Sequence, residues 1–167
     1  MGVLAAVAIP QLFTGLDRSR TWAAARYLAS QMAVARSQAV LRSAHVALRF
    51  VEGRSGVTFQ MFVDTNHNGV RTSDIEAAVD RAIDTPAHLT DLFPGVAIAI
   101  APELGTDAVR VGSSDLLSFT PLGTATAGTI YVRGRDGTQL AVRVLGATAR
   151  TRVVRYVPGA RQWVETF

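Results

Sequence analysis

Two hydrophobic codes run along this chain, and the change between them falls at Ser43. Before it, Gly2-Val3-Leu4-Ala5-Ala6-Val7-Ala8-Ile9 is an unbroken apolar run closed by Pro10. From Leu16 to Ser43 there is neither Gly nor Pro and alanine dominates, which is helix-forming composition. Joined, the two stretches predict one helix of roughly 40 residues, about 60 Å long at 1.5 Å per residue. Pro10 is expected to bend or locally unwind it. A helix of that length without caps suits a coiled coil, a membrane span or a fibre stem. The opening run is nevertheless shorter than the roughly 20 apolar residues a bilayer crossing needs. Apolar positions trace two stripes on this helix. Leu16, Ala23, Tyr27, Val34 and Leu41 form one; Leu28, Met32, Ala35 and Ala39 form the other. Either one stripe docks on the chain's own sheet and the second wants another partner, or a single wide face is buried against that sheet.

After Ser43 the period becomes two. Residues 44–51 and 57–63 alternate, are rich in Val, Phe and Met, and flank the turn Glu52-Gly53-Arg54-Ser55-Gly56, which reads as a hairpin. Residues 64–74 form a polar loop. Residues 75–84 fit a short helix (Ile75, Val79, Ile83) and an extended strand equally well. Pro86, Pro94 and Pro102 bracket a strand over 96–101, and further strands are expected at 116–120, 129–133, 139–145 and 150–157. The sum is an α+β chain: a stem helix over 1–43, with 1–15 its hydrophobic segment, and a β-rich head over 44–167 with about seven mostly antiparallel strands.

Charge adds a polarity to this layout. All 17 basic residues are arginine and none is lysine, a bias that GC-rich coding explains more simply than selection for guanidinium. Residues 1–63 carry seven Arg against Asp17 and Glu52, net +5; residues 64–115 carry three Arg against nine acids, net −6; residues 116–167 carry seven Arg against Asp136 and Glu165, net +5. An acidic middle between basic ends favours contacts with other copies or with anionic partners. There is no cysteine, so neither disulfide nor thiol chemistry enters.

Motifs for catalysis fail one after another. His45, His67 and His88 are scattered, without a zinc spacing. Residues 123–129 space two glycines like a phosphate loop but lack its lysine. Ser113-Ser114-Asp115 lacks the glycine-flanked elbow of a nucleophilic serine. No enzyme and no small-molecule substrate is implied. Asp64-x-Asn66-x-Asn68-Gly69 does match the opening of a calcium loop, with Asp74 close by. Its twelfth position, however, is Ile75 where a bidentate Glu belongs. An Asx-rich turn is the simpler account, and calcium is the one cofactor the pattern admits. Near the C-terminus, Arg150 and Arg152 share one face of a strand by the period-2 rule. Arg143 lies on the preceding strand and Arg155 follows. Such a row can track phosphates, or simply serve as edge charge that deters sheet-to-sheet aggregation.

The words of the chain resemble a known family. GVLAAVAIP is similar to the second half of the N-terminal helix of type IV pilins and type II secretion pseudopilins, with that family's leader, cleavage site and glutamate absent from this sequence. Residues 62–71 (Phe-Val-Asp-Thr-Asn-His-Asn-Gly-Val-Arg), 117–123 with 128–132, and the closing Ala149-Arg150-Thr151-Arg152 resemble, in order, the words of the GspH/FimT branch of minor pseudopilins, with Ala149 where the branch has Gly. The resemblance implies a pilin-like fold and a non-catalytic subunit that assembles with other pilin or pseudopilin subunits. Assembly would run through the helix at Val3, Leu4, Val7, Ile9, Pro10 and Leu12. It also implies a single-pass anchor in the bacterial inner membrane with a periplasmic head. The alternative it brings is DNA capture for uptake, pointing at Arg150 and Arg152 with Arg143 and Arg155 beside them. If Met1 is the true start, a soluble β-rich domain with a short amphipathic anchor is the third arrangement.

Overall fold

The computed structural model describes the backbone of residues 3–165 and the side chains of residues 15–165. Helix α1 runs unbroken over Val3–Arg42, 40 residues. The helical backbone passes through Pro10 without unwinding, contrary to one of the two expectations for that position. The missing N–H removes one bond from a ladder that otherwise continues on both sides.

Among the described residues eleven strands follow: β1 (Val46–Gly53), β2 (Gly56–Val63), β3 (Arg81–Ala82), β4 (Ala87–His88), β5 (Val96–Ile98), β6 (Val109–Val111), β7 (Leu116–Phe119), β8 (Gly128–Gly134), β9 (Gln139–Leu145), β10 (Arg150–Val157) and β11 (Gln162–Glu165). Two short helices, α2 (Thr72–Glu76) and α3 (Leu89–Leu92), lie in the connections. All pairings are antiparallel and divide into two sheets. One runs β3-β2-β1-β7 with β4 also on β2; the other runs β11-β10-β9-β8-β5 with β6 also on β8. The hairpin predicted at 44–63 is present, closed by the two-residue turn Arg54-Ser55 with Gly53 opposite Gly56. Gly56 has φ +109°, a backbone state that favours glycine. The ambiguous stretch 75–84 contains both of its candidates, the end of a helical turn and then the two residues of β3.

Helix α1 lies across both sheets and supplies the centre of the core. Leu28, Met32, Ala35 and Ala39 are fully buried with Ala24 and Ala25, against Leu48 and Phe119 of one sheet and Ile130, Val132, Leu140 and Val142 of the other. The alanines let the helix approach closely. The limit is at Gly134, where any side chain would collide with the Thr21 hydroxyl. Asp17 then ties the helix to the β8–β9 turn through Arg135, 3.0 Å away, and that contact holds the Arg135 guanidinium above its ordinary pKa. Residues N-terminal to Asp17 continue as helix beyond the last of these ties.

Candidate functional site

The outer stripe of α1 stays largely in solvent. Leu16, Val34 and Leu41 are 52, 45 and 78 % exposed, with Val40 beside the stripe at 50 %, whereas every member of the docked stripe is at 0 %. Of the five residues read as the outer stripe, Ala23 is exposed too. Tyr27 is half-buried, with its ring 5.7 Å from that of Phe93 and 6.4 Å from that of Phe59. The apolar helix face is therefore divided rather than wholly covered. Along its C-terminal half an open groove runs between Ala29, Ala33 and Val40 on the helix and Ala149 and Thr151 at the β9–β10 turn. Val3, Leu4, Val7, Ile9, Pro10 and Leu12 sit on the helical backbone that continues past the head, and their side chains lie outside the described residues.

The arginines do not all meet. Pairing of β9 with β10 sets Arg152 opposite Arg143 and Arg150 opposite Leu145, so Arg143, Arg150 and Arg152 share one face. Arg155 has the opposite parity and points with Val153 toward the helix side. Two like charges directly opposed are unfavourable, and each has its own counterweight. Arg152 pairs with Glu165, while the Arg143 guanidinium lies 5.6 Å above the Trp163 ring. Trp163 is itself wedged between Tyr131 at 5.5 Å and Tyr156 at 5.3 Å. Strand β11 pairs only with Val154–Val157, which leaves the first half of β10 as a free edge. Across from that edge stand Trp22 and Arg26 of α1. A single groove is lined by Trp22, Arg26, Arg150, Arg152, Arg155 and Glu165. Trp22 and Arg26, with Arg26 6.0 Å above the indole, were not foreseen as site residues. They sit more than a hundred residues away in sequence, and only the docking of α1 brings them in.

The loop after β2 closes on itself. The buried Asp64 carboxylate accepts backbone N–H bonds from Asn66 (3.1 Å) and His67 (2.8 Å) at Oδ1 and from Gly69 (2.8 Å) at Oδ2, with His45 Nδ1 at 3.5 Å. Asn66 and Asn68 donate their amides to Asp74 Oδ2 at 3.1 and 2.9 Å. These bonds, Asn68 first and then Asn66, hold the Asp74 carboxyl below its ordinary pKa, with Ser73 and Arg71 contributing less. Asp80, also buried, accepts the Thr65 and Arg71 N–H groups at 3.3 and 3.1 Å and fixes the far side. Among the described residues no group of three or more His, Asp or Glu side chains is arranged to hold a metal ion.

A family model described as type II transport protein GspH matches residues 24–149, roughly three quarters of the chain. The chain belongs to the GspH family. It is a pilin-like subunit of the type II secretion class, whose members are structural parts working beside other pseudopilins. No curated protein and no solved structure matches it. The GspH match starts inside α1 and stops at Ala149, so residues 1–23 of the stem and the arginines of β10 lie beyond it. Ala149 itself has φ +49° and is buried, a left-handed position where glycine, the residue of the GspH/FimT word, carries no steric cost.

Proposed function

We propose that this GspH-family chain is a non-catalytic minor pseudopilin that enters a pseudopilus through α1, with its stem in the inner membrane before assembly and its head in the periplasm. The observation that carries this reading is the divided helix face. A monomer has no reason to keep Leu16, Val34, Val40 and Leu41 in water on the helix whose opposite side is fully sealed. The groove floored by Ala29 and Ala33 suits the close approach of a neighbouring helix. Val3, Leu4, Val7, Ile9 and Leu12 supply apolar residues of the kind such a neighbour would present. The test uses the full chain carrying Val34→Arg and Leu41→Arg, expressed with its secretion system. Both sites are exposed, so the melting temperature is expected to stay unchanged while incorporation into the assembly is lost. Normal incorporation would remove the outer stripe from the assembly surface.

A second reading, DNA capture, is favoured by one observation: α1 adds Arg26 and Trp22 to the groove that holds Arg150, Arg152 and Arg155. Guanidinium groups beside an indole suit a phosphate backbone with a stacked base. Gel retardation across a salt series separates the readings. If Arg150→Ala with Arg152→Ala leaves retardation unchanged, the groove is structural. Calcium has no part in either reading, since the Asp64 oxygens are already bonded by the loop's own N–H groups.

A further inference from the structure

Five arginines lie on the segments that meet where α1 leaves the head. Arg18 and Arg20 follow Leu16, the last residue of the uncharged opening run. Arg135 sits in the β8–β9 turn, Arg155 near the end of β10, and Arg161 in the turn to β11. These segments converge in three dimensions: Gly15 and Arg18 of the helix, Asp136 of one turn, and Arg155, Tyr156 and Pro158 of the other line a single open cleft. The acids on the same segments are engaged. Asp17 binds Arg135 at 3.0 Å and Arg20 at 3.5 Å, and Asp136 accepts the Thr138 N–H at 3.1 Å. Among the described residues Arg18, Arg155 and Arg161 form no ion pair. Arg18 and Arg161 are exposed and Arg155 is half-buried.

We infer that this arginine collar seats the head on the anionic phosphate headgroups of the membrane from which the stem emerges. The inference rests on the membrane reading of the stem and adds the surface that meets the bilayer. Between Gly2 and Leu16 no charged residue occurs, and Asp17, Arg18 and Arg20 follow at once. At the rise of an α-helix, Arg18 stands about 14 Å beyond Ile9, the distance of an interface from apolar residues inside the bilayer. Basic residues placed just outside an apolar segment are drawn to an anionic bilayer surface. Guanidinium groups bind phosphate oxygens in pairs, which suits them to lipid headgroups. A nucleic acid would find the same charges but offers nothing to the apolar helix that passes between them.

The experiment is flotation of the full chain with phosphatidylcholine vesicles and with the same vesicles containing phosphatidylglycerol. The quantity read is the anionic-over-neutral partition ratio. Each arginine near an anionic surface is expected to contribute about fivefold, so Arg18→Gln, Arg155→Gln and Arg161→Gln together should lower the ratio about a hundredfold. Neutral partition should stay as it was. A control with equal charge loss at the other arginine face, Arg143→Gln, Arg150→Gln and Arg152→Gln, should keep the ratio within about twofold. Should the triple variant unfold, the exposed pair Arg18→Gln and Arg161→Gln is expected to lose about 25-fold. An unchanged ratio in the collar variant, or an equal fall in both triples, overturns the collar. Collar-dependent binding to an oligonucleotide without vesicle preference overturns it too. Neutral binding without anionic preference sinks the collar alone, whereas no binding to either vesicle also sinks the membrane reading of the stem.

Discussion

Replacing Asp64 by alanine tests how the loop after β2 is held. The Asp64 side chain is fully buried and receives three backbone N–H bonds at 2.8–3.1 Å. Hydrogen bonds to a charged acceptor each contribute about 1.5–3 kcal/mol, but Asn66 and His67 are exposed, so water recovers part of theirs in the variant. The net expectation is a loss of about 3 kcal/mol. For a chain of this size that is a melting point about 6–12 °C lower. Asp64→Asn should fall between, because one amide oxygen still serves Asn66 and His67 while its NH₂ confronts the Gly69 N–H, donor against donor. The assay is thermal unfolding by far-UV circular dichroism, with and without millimolar calcium. Calcium is expected to leave every curve unmoved. The reasoning would be refuted by an Asp64→Ala loss under about 1 kcal/mol. A calcium-dependent rise abolished in both Asp64→Ala and Asp74→Ala would refute it equally, since the loop would then be a cation site.

Three further outcomes follow from the same geometry. Ala78 sits at φ +55° just after α2, where Val79 N–H reaches Asp74 O at 2.8 Å in a helix-ending turn that favours glycine. Exposed Ala78→Gly should stabilise by about 0.5–1 kcal/mol in urea titration. Buried Ala149→Gly relieves the same strain but forfeits a packed methyl of about 0.8 kcal/mol and should come out near neutral; the reverse order would contradict the account. Because the folded pKa of Asp74 is depressed, its contribution is present above pH about 4 and lost as pH falls through the folded value. The urea midpoints of wild type and Asp74→Asn should therefore converge on acidification, and a gap independent of pH would remove the Asn68 and Asn66 amides as its cause. Leu28→Ala, at 0 % exposure, should cost about 3 kcal/mol, while Leu41→Ala, at 78 %, should cost under about 0.5, both read from denaturant midpoints.

Strands with a strong alternating code were legible before any coordinates: the β1–β2 hairpin, β9 and β10 lie where their period-2 patterns put them. Those that escaped are short or unpatterned. Strand β4 has two residues, β6 has three, and Gln162-Trp163-Val164-Glu165 has no apolar alternation to announce β11; the two residues of β3 fall in the stretch read as helix or strand. Pairing with an already formed neighbour defines these, and pairing is a long-range property. On the helix, the two stripes were readable, but which one the sheet would cover was decided by packing. Leu28 and Met32 are flanked by small residues at Ala24, Ala25, Ala35 and Ala39, which let the backbone close onto the sheets. The placement of Arg155 away from Arg150 and Arg152 was available from parity alone, since it lies an odd number of residues from Arg150. Trp22 and Arg26 had no local signal, because nothing in the helix tells which strand edge it will border.

The continuity of α1 from its N-terminal part into the head has a mechanical consequence. From Val3 to Arg42 the backbone is one rod, clamped by Thr21 against Gly134 and by Asp17 against Arg135. A pull or twist on the N-terminal part of α1 therefore reaches the head through the Thr21 and Asp17 contacts rather than through a loop. Turning the stem about its axis must sweep the arginine edge and the Asx turn through the same angle.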